Sequence, residues 1–208
     1  NVVGVGIGYK STRGVLTSTE ALVVLVRQKL PATVMAAAEL VPGALDGFPT
    51  DVVEVGEVRA LMSTETVVET HRQSHRPLVG GISCSPPYPL VGTIGLPQLY
   101  DQQGREGLLS NRHVALPDWL DPQLKKGVSI HQPGRGDGGV FEGEAVATVE
   151  DLQPLVIGQD NELDAEFAVY IPGHAGRPEI LGIGPYTGLM DPEPGLAVLK
   201  SGRTSGVT

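Results

Sequence analysis

Glycine and proline interrupt this chain so often that long helices and long uninterrupted strands have little room to form. The 208 residues include 28 glycines and 17 prolines, and both residue types weaken the interior of regular elements. Between them lie short apolar runs rich in valine, leucine and isoleucine. Short runs of this kind, separated by turn residues, are typical of β-strands. The sequence therefore predicts a mainly β protein.

The apolar runs form two groups, three in the first sixty residues and seven after Gly81. The predicted strands are Val2–Tyr9, Ala21–Val26, Asp51–Val58, Val91–Leu96, Gly107–Leu109, Val128–His131, Ala145–Val149, Ala165–Ile171, Ile180–Ile183 and Leu196–Lys200. The spacing of the later seven suggests a barrel or a sandwich.

The first sixty residues are predicted to form a small unit of their own. An alanine-rich stretch at Met35–Leu40 follows Pro31 and ends at Pro42, which predicts one helix among the strands. Residues 1–60 are therefore expected to be a small α+β accessory or pro-like domain. Residues 61–80 are polar, and we expect them to be a linker or connecting helix.

The composition limits the classes of partner. Acidic residues outnumber basic ones by 24 to 15, so the net charge of −9 argues against a nucleic-acid or anionic-membrane binder. No apolar run approaches the roughly 18–20 residues that span a bilayer. Cys84 is the single cysteine, which excludes an intramolecular disulfide and is compatible with an intracellular location. Because the chain begins at Asn1 and not at Met, the lack of a visible signal peptide carries little weight.

Three further motifs are interpreted as structural. The Gly4-x-Gly6-x-Gly8 run lacks the spacing of a dinucleotide-binding loop and is assigned to a strand. His71 and His75 could share a helix face as a metal pair, but no third ligand stands at a suitable spacing, so a solvated polar face is favoured. The Arg135-Gly136-Asp137 tripeptide lies in a predicted turn, where an adhesion role is disfavoured.

Two polar residues stand at the ends of apolar runs, where a core does not explain them. His113 follows the run that ends near Leu109, and Asp164 precedes the run Ala165–Ile171. A histidine that acts as a general base needs one fixed tautomer, and a carboxylate bonded to its far nitrogen provides it. His113 and Asp164 are therefore the candidate catalytic residues.

The segments around these residues resemble a known family. Ser110–Val114 looks like the histidine box of trypsin-like serine peptidases, and Asp164–Val169 looks like their aspartate box. The resemblance is closest to the narrow-leaf-type trypsin-like proteins of bacteria and plants, and it covers residues 78–208. Arg112 and Glu166 depart from the usual pattern, which has Asn and a small residue there. Within this range three more boxes match, Val91–Gly95, Gln132–Gly134 with Asp137–Gly139, and Lys200–Gly206, which makes five boxes in the order of the family. Gly4–Lys10 and Pro49–Val52 also resemble the segment that precedes the peptidase domain in such proteins.

The resemblance implies a trypsin-like double β-barrel. Residues 81–177 would form the first barrel, with His113 as general base and Asp164 as its orienting carboxylate, and residues 178–208 would begin the second. The reaction would be hydrolysis of a peptide bond through an acyl-enzyme, with a protein or peptide substrate and no cofactor or metal. A catalytically silent trypsin-fold module that binds a protein partner is the alternative.

The family's serine lies in a Gly-Asp-Ser-Gly box, which this sequence does not contain. Ser205 is the best substitute within the chain, but too few residues separate it from Asp164 to fold a second barrel back onto His113. We therefore expect the serine to come from a carboxy-terminal fragment of the same gene product. Thr208 is then a candidate processing point, with self-cleavage and an artificial end of the chain as the alternatives.

Overall fold

Contacts divide the chain into two compact units. In the computed structural model, the described residues are 1–57, 69–88, 90–115, 126–140, 143, 145–152 and 161–208. The first unit comprises Asn1–Met62 and Met190–Val198, and the second comprises Ser63–Leu189 and Leu199–Thr208. The protein is mainly β, as the sequence predicts.

The first unit is built on one four-stranded sheet with the order β1-β2-β4-β3. Strands β1 and β2 form an antiparallel hairpin, and β2 pairs in parallel with β4. Arg13 and Gly14 make the hairpin turn, both with positive φ. The strands are β1 (Val2–Thr12), β2 (Val15–Val26), β3 (Ala44–Leu45) and β4 (Phe48–Glu54).

The helix predicted at Met35–Leu40 is wrong. The structure has two single-turn 3₁₀ helices there, Ala32–Val34 and Ala37–Glu39. Neither buries a side chain, so nothing supplies the packing that stabilises so short a helix. In its described residues the first unit therefore contains strands and 3₁₀ turns, and the predicted α+β class is corrected to β.

In its described residues the second unit contains four sheets. The largest is antiparallel and has the strand order β10-β11-β12-β9-β8, and a three-stranded sheet has the order β14-β13-β5. Two two-stranded ladders, β6-β7 and β15-β16, complete the set. Across the residues described, none of these sheets closes into a barrel. The elements are β5 (Leu78–Gly80), β6 (Ser83–Cys84), β7 (Gly92–Thr93), β8 (Leu96–Tyr100), β9 (Glu106–Ser110), α1 (Arg112–Ala115), β10 (Ser129–His131), β11 (Ala145–Leu152), β12 (Glu166–Tyr170), β13 (Gly176–Ile180), β14 (Gly184–Pro185), β15 (Ser201–Gly202) and β16 (Gly206–Val207), with 3₁₀ turns at Glu69–Arg72 and Arg135–Asp137.

Small aliphatic side chains make the core of the second unit. They come from both large sheets and from α1, so one apolar cluster joins these elements. Fully buried members include Leu78, Ile82, Leu108, Ile130 and Val146. Among the described residues, no helix has the length and apolar character needed to cross a bilayer.

The described part of the predicted linker, residues 69–80, is not a linker. Leu78 and Val79 are buried in the core, and β5 pairs in parallel with β13. The polar composition misled the prediction because the few apolar residues here are all used for packing. The predicted boundary near residue 60 lies outside the described residues.

The strand predicted at Leu196–Lys200 is also wrong. None of these residues belongs to a strand, although Lys200 makes two backbone hydrogen bonds with Thr208, and Val198 and Leu199 are exposed. The predicted start of a second barrel, residues 178–208, contributes β14 to one sheet and the β15-β16 ladder to another. The strands in this region are short and belong to separate ladders. Among the described residues no strand pairs with residues 196–199, so their hydrophobicity alone did not produce a strand.

Gly176 tests the close packing of β13 against β8. A Cβ atom here would overlap the backbone carbonyl of Pro97, whereas one at Gly188 would meet no atom within 4 Å. We expect Gly176→Ala to lower the free energy of unfolding by about 2–3 kcal/mol, because backbone atoms cannot give way. Gly188→Ala is the matched control and should change it by less than about 0.5 kcal/mol. Urea denaturation of both variants measures the difference, and equal stabilities would contradict the packing.

Candidate active site

The antiparallel pairing of β9 with β12 brings the two candidate residues together. Ser110, the last residue of β9, lies opposite Glu166, the first residue of β12. His113 follows Ser110 by three residues, and Asp164 precedes Glu166 by two. Because the strands run in opposite directions, the chain leaving β9 and the chain entering β12 meet at the same end of the sheet.

His113 and Asp164 make two hydrogen bonds with each other. The His113 backbone N–H donates to Oδ1 of Asp164 over 3.1 Å, and the His113 ring contacts Oδ2 through Nδ1. The Asn111 side-chain amide donates to the Asp164 backbone carbonyl over 2.9 Å. The carboxylate is thus held by both the backbone and the ring, which fixes its orientation toward Nδ1.

Burial of its neighbours turns His113 outward. In α1, Val114 and Ala115 point into the core, whereas the His113 side chain is 59% exposed. Val114 packs so closely on Gly92 that a Cβ atom at Gly92 would overlap it. The Ser110 hydroxyl donates to the Thr93 carbonyl over 2.8 Å. Strand β7 therefore supports the short segment that carries His113.

The second ring nitrogen of His113 faces away from Asp164. Within the part of the chain that the structure describes, Nε2 makes no hydrogen bond. An imidazole with Nδ1–H donated to a carboxylate presents Nε2 as an acceptor, which is the form that takes a proton from a hydroxyl. The pair can therefore serve as a general base for a group that approaches from the open side.

A buried carboxyl, which the sequence interpretation missed, lies beneath the pair. Glu166 is 1% exposed, and its oxygens have no hydrogen-bond partner among the described residues. Burial raises the pKa of Glu166 to about 9, the nearby charge of Asp164 adds to the rise, and Arg112 opposes it. Glu166 is therefore an uncharged acid at neutral pH.

The signal for this buried group was present in the sequence. Arg112 and Glu166 are the two departures from the resemblance; Arg112 directly precedes His113, and Glu166 follows Asp164 by two residues. They are also electrostatic neighbours in the structure, because Arg112 lowers the pKa of Glu166. Two departures of opposite charge, one in each box, could have suggested that they lie close together.

The remaining site predictions lie elsewhere. Ser205 accepts a hydrogen bond from Lys200 Nζ over 2.6 Å, and among the described contacts none joins it to His113. Thr208 pairs with Lys200 through two backbone hydrogen bonds, which extends the β15-β16 ladder. Neither residue is brought to the candidate pair by a described contact.

His71 and His75 do not form the solvated face that the sequence favoured. His71 is buried, and its Nε2 lies 2.9 Å from the Ser201 hydroxyl, whereas His75 Nε2 contacts the Thr70 carbonyl. Burial lowers the pKa of His71, and the charge of His75 lowers it further. Across the described residues, no group of three or more His, Cys, Asp or Glu side chains is arranged to hold a metal ion.

The adhesion-type tripeptide is a 3₁₀ turn, Arg135–Asp137, and its acid does not face solvent. The Asp137 side chain is 1% exposed and binds the Arg203 guanidinium. A carboxylate held in this way is not presented to an external partner. The predicted turn is confirmed. Burial of Asp137, which the sequence did not predict, is a second reason against an adhesion role.

No family model and no curated protein matches this chain. The resemblance to trypsin-like peptidases therefore stays a prediction, and the geometry of His113 and Asp164 is the structural support for a function.

Glu166 predicts a pH dependence of stability. Its pKa of about 9 in the folded protein exceeds the ordinary value of 4.5, so its contribution is complete below about pH 4.5 and is lost as the pH rises through 9. The Glu166→Gln variant has no carboxyl to ionise at this position, so it does not lose this stability as the pH rises. We expect the stability of the variant relative to wild type to rise by about 1 kcal/mol per pH unit between roughly pH 5 and 9.

Urea denaturation at several pH values measures this difference. Glu150→Gln is the matched control, because the Glu150 side chain is 38% exposed beside Arg105. The difference in stability between this variant and wild type should stay the same at every pH. A constant difference between Glu166→Gln and wild type across the range would show that Glu166 is ionised in the fold.

Proposed function

We propose that this chain carries the general-base pair of a trypsin-like serine endopeptidase. The observation that carries the proposal is the hydrogen-bonded His113–Asp164 pair with Nε2 of the histidine on the open side. The five sequence boxes in family order support the same class. In this proposal the protein belongs to the trypsin-like double-barrel fold, of which the five-stranded sheet is part of the first barrel.

Asp164 would hold His113 in the tautomer with a proton on Nδ1. Nε2 then accepts the proton of a serine hydroxyl as the oxygen attacks the peptide carbonyl. The negative charge of Asp164 stabilises the imidazolium that forms. His113 next donates this proton to the leaving amine. It then accepts a proton from a water molecule, which attacks the acyl group, and returns that proton to the serine as the acyl group is released.

The serine would be supplied by a carboxy-terminal fragment of the same gene product. The described contacts of Ser205 do not include His113, so Ser205 is not proposed as the nucleophile. The 59% exposure of the His113 side chain leaves room for another segment to cover it. The same segment would provide the backbone N–H groups that stabilise the oxyanion. The substrate is a protein or peptide, and the steps require no cofactor.

The tautomer of His113 can be measured in this chain alone. Long-range ¹⁵N NMR of the neutral ring should report a proton on Nδ1 and none on Nε2. Asp164→Asn should shift the population toward the Nε2–H tautomer, because an amide can donate to Nδ1 and no longer requires its proton. A predominant Nε2–H tautomer in the wild-type protein would contradict the general-base assignment.

Catalysis is tested in the gene product that includes the serine-bearing segment. His113→Ala should lower kcat for peptide hydrolysis by about 10⁴–10⁶-fold and Asp164→Asn by about 10⁴-fold, with the fold intact by circular dichroism. Asp101→Asn, which removes a surface ion pair with Arg105, is the control and should retain wild-type activity.

Labelling with a fluorophosphonate provides a second measurement, because the probe reacts with a serine that a base has activated. We expect labelling of the wild type and of Asp101→Asn but not of His113→Ala. A protein that is neither labelled nor hydrolytic, or whose His113→Ala variant is labelled like wild type, overturns the proposal. The former result would favour the silent binding module.

A further inference from the structure

The buried Asp137 carboxylate connects three segments that are distant in sequence. Its Oδ2 accepts hydrogen bonds from the Ser83 hydroxyl over 2.5 Å and from Arg203 Nε over 2.7 Å. A second guanidinium nitrogen of Arg203 binds Oδ1, and Arg72 Nε lies 3.6 Å from the same oxygen. Both the Asp137 and Arg203 side chains are nearly inaccessible to solvent. Asp137 therefore joins the 3₁₀ turn at Glu69–Arg72, β6 and the β15-β16 ladder.

The charge on Asp137 persists in spite of burial. Burial raises the pKa of its carboxyl, but the hydrogen bonds from Arg203 and Ser83 and the charges of Arg203 and Arg72 outweigh this effect. The net pKa lies below the usual range for an aspartate. A paired charge of this kind is retained across neutral pH, and removal of one partner leaves the other buried without compensation.

Further contacts hold the terminal hairpin, which we define as residues 200–208. The Arg203 backbone N–H donates to the Thr93 hydroxyl over 3.1 Å, and the Ser201 hydroxyl lies 2.9 Å from His71 Nε2. Gly81 packs against Ser201 so closely that a Cβ atom would overlap its hydroxyl. The terminal hairpin is thus seated on β7 and on the segment around Gly81.

Strand β7 is also the support of the His113 segment. Thr93 accepts the Ser110 hydroxyl through its carbonyl and the Arg203 N–H through its side chain. Gly92, the other residue of β7, packs directly on Val114, the neighbour of His113. A continuous set of contacts therefore runs from Asp137 through Arg203 and β7 to the residues on either side of His113.

We propose that Asp137 is a positioning residue, which holds the terminal hairpin at a fixed place relative to His113. This inference rests on the proposed function, in which the chain beyond the hairpin brings the serine to Nε2 of His113. Asp137 itself does not touch the reacting atoms. Its effect is to set the distance and orientation between the general base and the incoming nucleophile, on which the rate depends steeply.

The anchor is tested first without any assay of catalysis. Amide hydrogen exchange in the full chain should show that Asp137→Asn lowers protection of the terminal hairpin about tenfold or more, at Lys200 and Thr208, while Ala147 and Ala168 in the five-stranded sheet keep theirs. Asp101→Asn is the matched control, since it removes an exposed ion pair with Arg105, and it should leave the hairpin unchanged. Equal loss across hairpin and sheet, or no loss in a folded Asp137→Asn protein, overturns the proposal.

Arg203→Gln covers the case in which Asp137→Asn does not fold, because Asp137 keeps Arg72 and Ser83 as partners. It should show the same selective loss, and protection of the hairpin as in wild type would refute the anchor. Where both single variants fold, the double variant should lose little more than either one, since both substitutions break one interaction. Additive losses would mean that the two residues act separately.

The catalytic consequence is measured in the gene product with its serine-bearing segment. We expect Asp137→Asn to lower kcat by on the order of tenfold or more with KM nearly unchanged, because misplacement of a reacting group affects the transition state more than substrate binding. An unchanged kcat in a variant with a loosened hairpin overturns the positioning role. If the wild type is not hydrolytic while the exchange results hold, the proposed function fails and the anchor stands.

Discussion

The pairing of β9 with β12 is the interaction on which the candidate site depends. Because Ser110 lies opposite Glu166, the segment that follows β9 lies beside the segment that precedes β12. A shift of one residue in this register would exchange the faces of β12 and move Asp164 relative to His113. The core enforces the register, because Ala168 on β12 and Leu108 on β9 are opposite one another and both fully buried.

The core of the second unit contains few large apolar side chains, and buried polar groups that hydrogen-bond to one another are also part of it. The chain has three phenylalanines and one tryptophan, so small aliphatic side chains fill the second unit. Gln132 is fully buried and satisfies its amide with the Gln73 carbonyl, the His75 N–H and the Arg76 guanidinium. Such a group stabilises one arrangement because any other leaves a buried donor or acceptor without a partner.

Sequence reasoning succeeded where the signal was local and failed where contacts between distant segments decide the structure. Strand runs such as Ala145–Val149 and the ends of apolar runs at His113 and Asp164 were readable from the residues alone. Polar composition did not reveal that residues 69–80 are packed, and apolar composition did not predict that Leu196–Lys200 lacks strand structure. Burial of Asp137 was also unreadable, since it depends on neighbours far along the chain, and for Glu166 the sequence offered only its departure from the family pattern beside that of Arg112.

The two buried carboxyls differ in charge because their neighbours differ. Asp137 has two guanidinium groups and a hydroxyl around it, and these outweigh burial, so the carboxylate stays ionised. Glu166 has Asp164 nearby and no hydrogen-bond donor among the described residues, so burial prevails and it stays protonated. Among the described residues, the carboxylate in contact with the His113 ring is therefore that of Asp164. An ionised Glu166 would repel the Asp164 carboxylate, whose charge already raises the Glu166 pKa, and its neutrality leaves Asp164 as the carboxylate that orients the ring.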